Sequence, residues 1–109
     1  MTSRRQEKVN SLLRRFVSSF LVKEKSSAIV TITRIETSKD LKIAKIFISI
    51  FPESKETETI KLLKLKTGEL HKFIGSRIKM KFLPHLEFEI DKGEKERQKI
   101  EKLLGLVAK

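Results

Sequence analysis

The chain has 109 residues, 39% of them hydrophobic, which suits one domain with a single core and argues against a disordered polymer. It has no cysteine, which excludes disulfides, thiolate nucleophiles and thiolate metal sites, and no apolar run long enough to span a bilayer or act as a signal segment, so a soluble cytoplasmic protein is expected. Lys and Arg total 25 against 14 Asp and Glu, a net charge of +11, which points to a polyanionic partner, either nucleic acid or an anionic membrane surface.

The first segment reads as a helix. Val9, Leu12, Leu13, Phe16, Val17 and Phe20 recur at the spacing of one buried stripe, with Thr2 or Ser3 placed to cap it and Glu7 early in the helix to suit its dipole. Arg4, Lys8, Arg14 and Arg15 fall off that stripe and make the outer face basic. Ser26 and Ser27 break the pattern, and residues 28–36, rich in β-branched side chains, read as a strand. Thr37 to Asp40 supplies turn chemistry, and Leu41 to Phe51 reads as a second strand with Ala44, Ile46, Ile48 and Ile50 on one face. Together they suggest an antiparallel hairpin that ends at Pro52.

After an acidic stretch over 53–58, Ile60, Leu63, Thr67, Leu70, Ile74 and Ile78 mark one helical face. Beyond Lys81 the period changes to two, and Leu86, Phe88 and Ile90 face inward on a third strand. Ile100, Leu103, Leu104 and Val107 make a short amphipathic C-terminal helix after Lys92 and Gly93, so residues 92–109 read as a helical extension of one domain spanning 1–109. The order is helix, strand, strand, broken helix, strand, short helix: an α+β layer with a three-stranded sheet covered by helices on one face.

Charge is distributed unevenly along this plan. Residues 1–25 carry 7 basic and 2 acidic side chains and residues 60–85 carry 7 and 1, whereas 26–59 balance at 5 and 5. At about 100° per residue, Lys61, Lys64, Gly68, Lys72, Gly75 and Lys79 share a stripe opposite the apolar one. A mid-helix glycine costs roughly 1 kcal/mol relative to alanine. Two glycines among lysines therefore suggest bare backbone that a phosphate chain can approach, the alternative being a helix end at Gly68 and a plain solvated lysine face.

An enzyme is not expected. His71 and His85 are the only histidines and neither has metal-ligand or triad spacing, while Asp40 and Asp91 sit where a turn or a strand end needs a cap. No metal, cofactor or small-molecule substrate is implied. Most of the seven phenylalanines fall at inward positions and are expected in the core. Leu62 and Leu65 lie off the apolar face, where they would pack beside a kink or mark a protein contact.

In its order of elements the chain resembles the type II KH domain, and more closely the ribosome-binding factor A family. The carrying segments are Ser38-Lys-Asp-Leu41 with Ala44-Lys-Ile-Phe-Ile-Ser49, the run from Arg77 through Pro84, Leu86 and Phe88 to Asp91, and Arg5-Gln-Glu-Lys-Val9 in the opening helix. Like that family, the chain lacks the G-x-x-G loop of ordinary KH domains; Lys66-Thr67-Gly68 stands where the family has an Ala-x-Gly helix kink. The resemblance implies a non-catalytic, monomeric assembly factor. It would bind the small (30S) ribosomal subunit through 16S rRNA, with ribosomal proteins as further contacts, during late maturation and 5′-end processing, and support growth in the cold. RNA contact is then expected at Arg4, Arg5, Lys8, Arg14, Arg15, Lys61, Lys64, Lys66, Gly68, Lys72, Lys79 and Lys81, with the interhelical kink at Lys66, Thr67 and Gly68. The rival readings are a generic basic RNA- or DNA-binding domain and a basic membrane-surface module.

Overall fold

The computed structural model describes residues 3–24, 27–79, 83–93, 96–97 and 100. Ser3 opens the first helix, α1 (Arg4–Lys23), with a capping box. The Gln6 N–H donates to Ser3 Oγ at 3.2 Å, and the Ser3 N–H donates to Gln6 Oε1 at 2.8 Å. The amide nitrogen of Gln6 then donates to Thr37 O at 2.6 Å, so one buried side chain both caps the helix and ties it to the sheet. Val9, Leu13, Val17 and Phe20 are buried and Leu12 and Phe16 half-buried, the stripe expected from their spacing.

The sheet consists of β1 (Ile29–Thr37), β2 (Ile43–Phe51) and β3 (His85–Ile90) in that order. β1 and β2 pair antiparallel, and β3 pairs parallel with β2. A parallel return needs a crossover. That crossover holds a short 3-10 turn at Glu53–Lys55 and two helices, α2 (Glu56–Leu65) and α3 (Thr67–Gly75). Ala44, Ile46, Ile48 and Ile50 of the central strand face the helices and are buried with Leu63, Leu70, Ile74, Leu86 and Phe88. Each such large side chain contributes roughly 1.5–3 kcal/mol on burial. The α+β class and the helix-covered three-stranded sheet agree with the sequence.

Three details differ from the expectation. β2 begins at Ile43 rather than Leu41, because Leu41 takes φ 60° inside the turn and its N–H donates to Ser38 O at 2.9 Å. Thr33 is an extra residue in β1, since the register shifts between Ile32 and Arg34. Phe47 and Phe51 lie on the face of β2 away from the helices, and Phe51 is 68% exposed. The expected C-terminal helix falls largely outside the described residues; within it, Lys92, Gly93, Glu96, Arg97 and Ile100 have helical backbone.

The hairpin turn shows why Ser38 and Asp40 stand together. Asp40 Oδ1 accepts from Ser38 Oγ at 2.6 Å and from the Lys42 N–H at 3.0 Å, while Ser38 Oγ accepts from the Ile43 N–H at 3.1 Å. These bonds, that from Ser38 foremost, hold the Asp40 carboxyl below the usual aspartate range. A depressed carboxyl stabilises the fold above its unfolded value and loses that contribution as pH falls through its folded one. Thermal melts should therefore show the hairpin weakening below about pH 4. Asp40→Asn keeps an acceptor but cannot titrate, and is expected to flatten that part of the profile.

Candidate nucleic-acid interface

The broken helix breaks at Lys66. Its backbone sits at φ −90°, ψ 3°, and its N–H is shared between Leu62 O and Leu63 O, both at 3.1 Å. Thr67 Oγ1 also donates back to Leu63 O at 3.2 Å. Any L-residue can adopt those dihedral angles. Gly68 lies within α3, and a Cβ built on it would meet nothing within 4 Å; the same holds at Gly75. Neither glycine is required by packing. Gly68→Ala and Gly75→Ala are each expected to raise stability by about 0.5–1 kcal/mol, read from thermal or denaturant unfolding.

Lys61, Lys64, Gly68, Lys72, Gly75 and Lys79 are all exposed, as their shared stripe predicts. Among the described residues Lys61, Lys64, Lys72 and Lys79 form no ion pair. Lys66 differs: its ammonium hydrogen-bonds to Glu24 at the end of α1, which raises its pKa and ties the helix break to α1. Lys81 lies outside the described residues.

The exposed face of the sheet has the opposite electrostatic design. Arg34 pairs with Glu36 and Asp91 at 3.3 Å each, Lys45 with Glu89 at 3.9 Å, and His85 lies 3.8 Å from Glu87. Arg34 and Lys45 on this face meet carboxylates within or beside the sheet, whereas Lys61, Lys64 and Lys72 on α2 and α3 have no such partners among the described residues. Among the described residues the helical side therefore carries uncompensated positive charge that this sheet face lacks.

On α1 the basic residues divide by task. Arg4, Arg5, Lys8 and Arg15 are exposed, and Arg15 lies 5.6 Å from the Phe16 ring. Arg14 instead donates from Nη2 to Ile32 O and Thr33 O, both at 3.3 Å, and so clasps the outer edge of β1. With a rise of about 1.5 Å per residue, Arg4 and Arg5 stand roughly 28 Å from Lys23 at the other end of α1. They belong to the hairpin end of the molecule, where Gln6 reaches Thr37.

Two cations were not singled out by spacing. Lys23 Nζ and Arg77 Cζ lie 5.3 and 3.8 Å from the centroid of the same ring, Phe73, which meets Phe20 edge-on at 5.7 Å. The Phe73-to-Arg77 interval of four was the one available signal; the approach of Lys23 is tertiary. Val22 and Leu65 are each 84% exposed and Leu62 is 40% exposed, so Leu65 does not pack beside the break. Among the described residues no group of three His, Cys, Asp or Glu side chains could hold a metal, and no helix is long and apolar enough to cross a membrane.

The family model for ribosome-binding factor A matches residues 5–104. The chain belongs to that family. A ribosome-binding factor A from Protochlamydia amoebophila is 32% identical over 114 residues, covering 100% of this chain and 87% of its own. The crystal structure of ribosome-binding factor A from Thermus thermophilus superposes with a TM-score of 0.69 at 21% identity, covering 78% of this chain and 94% of its own. A Thermus thermophilus ribosome-binding factor A homology model, fitted into a cryo-electron-microscopy map of a 30S complex, gives 0.61 at 21% identity over 76% of this chain and 90% of its own. These likenesses support the α-β-β-α-α-β arrangement described above. Within this arrangement Lys61, Lys64 and Lys72, which form no ion pair among the described residues, lie on α2 and α3.

Proposed function

We propose that this chain is a monomeric, non-catalytic, cytoplasmic assembly factor that binds the small ribosomal subunit through 16S rRNA late in its maturation. In this reading it assists processing of the 16S 5′ end and supports growth in the cold. The observation that carries it is the row of unpaired lysines outside α2 and α3, set against a sheet face whose charges are already matched. Lys61, Lys64, Lys72 and Lys79 neutralise phosphates, with Arg4, Arg5, Lys8 and Arg15 as a second group at the hairpin end. The break at Lys66 sets the angle between the helices that carry the lysines. Since lysine contacts position without reading bases, the RNA is chosen by shape.

The membrane alternative loses its main support, because the apolar stripe of α1 is consumed by the core. Co-sedimentation with purified 30S subunits over a salt series tests the reading, with duplex DNA and anionic vesicles as competitors. Saturable binding that resists both competitors is expected, and displacement by either at equal concentration would overturn it. In the same assay Gly68→Ala should weaken binding although it strengthens the fold, because a methyl group then stands where the phosphate chain approaches bare helix. Precursor 16S rRNA and cold growth in cells lacking the protein provide the cellular counterpart.

A further inference from the structure

Arg77 is the most constrained free cation on the helical side. Its Nη1 donates to Phe73 O at 3.2 Å and to Ser76 Oγ at 3.0 Å. Its Cζ lies 3.8 Å from the centre of the Phe73 ring, well within cation–π range. Phe73 itself meets Phe20 edge-on and has Lys23 Nζ 5.3 Å from its ring centre. The guanidinium is thus held at one nitrogen and over one ring.

Among the described residues its Nε–Nη2 edge, two parallel N–H groups on a planar fork, meets no acceptor. That geometry matches two oxygens of a phosphate, and ordering it in advance removes much of the entropy lost on binding. Arg34 provides the internal contrast. It too lies over a phenylalanine ring, Phe47 at 4.0 Å, but its charge is taken by Asp91 and Glu36. Among the described residues Arg77 meets no carboxylate.

We propose that Arg77, held over the Phe73 ring beside Lys23 where α1 meets α3, is a preformed two-pronged site for one RNA phosphodiester. It rests on the 30S-binding reading above and adds to it a division of labour. The flexible lysines accelerate arrival, whereas the fixed fork governs how long the RNA stays, since orientation-dependent contacts act mainly on dissociation.

The test compares Arg77→Lys, Arg77→Ala and Lys72→Ala by binding kinetics on immobilised 30S subunits over a salt series. Arg77→Lys keeps the charge and loses the fork. It is expected to raise the dissociation rate about 10-fold with the salt slope unchanged. Lys72→Ala should instead reduce the slope by about 0.7–0.9 and act chiefly on association. Arg77 is exposed, so these variants should fold, and melting curves check that they do. If wild-type protein binds and Arg77→Lys dissociates at the wild-type rate, the fork is overturned while 30S binding stands. If wild-type protein fails to bind 30S subunits, both readings fall together.

Discussion

Replacing Lys61, Lys64 and Lys72 together with alanine is expected to lower affinity for 30S subunits about 100-fold at roughly 0.15 M salt, each lost phosphate contact being worth roughly 5-fold at that ionic strength. The salt slope should fall by about two to three in the same variant. The melting temperature should barely change, because all three side chains are exposed and none forms an ion pair among the described residues. The matching control is Arg4, Arg5 and Lys8, an equal number of charges at the other end of α1. If the two triple variants lose affinity equally, the interface wraps both ends of the molecule; if only the second loses it, the lysine stripe is a solvated surface and the proposed site is wrong.

The largest expected change in stability comes from Asp91. Its carboxylate is 5% exposed, with Oδ2 2.5 Å from Thr33 Oγ1 and 3.3 Å from Arg34 Nη1, while its own N–H donates to Ile48 O at 2.8 Å. It lies just past the end of β3 yet secures the extra residue in β1, across the central strand. Asp91→Ala removes charge-assisted bonds from a buried position and leaves the irregular strand without its brace, at an expected cost of about 2–3 kcal/mol. Arg34 is half exposed and can turn to water, which keeps the figure below that of a fully buried ion pair. Denaturant unfolding measures it. A loss under about 1 kcal/mol would mean that the bulge holds itself. Asp91→Asn should recover part of the loss, since an amide still accepts from Thr33.

Much of this molecule was legible because period and burial coincide. The i, i+3, i+4 stripe from Val9 to Phe20 and the alternation from Ala44 to Ile50 describe buried faces, and burial is what those patterns encode. The lysine stripe was legible for the complementary reason: residues opposite a buried face must meet solvent. Contacts between elements distant in sequence were not. Nothing in the run of residues tells that Lys66 turns to Glu24, that Arg14 spends its guanidinium on the carbonyls of β1, or that Lys23 arrives over Phe73. Gly68 illustrates a subtler limit. The sequence locates the helix break within one or two residues, yet the dihedral angles that make it belong to Lys66, and the glycine's freedom is not what bends the chain.

Among the described residues, the matched charges of the exposed sheet face and the unpaired lysines of α2 and α3 give the protein an electric axis. A body of this kind turns in the field of a polyanion before it touches it, as a compass needle settles before contact with a magnet. In the proposed 30S-binding reading, encounters then begin helices-first, and the sheet, with Ile29 and Phe51 at one end of its exposed face, points away from the RNA. That orientation fixes which side stays available after docking: whatever must later recognise the bound factor, or remove it, meets the neutral face.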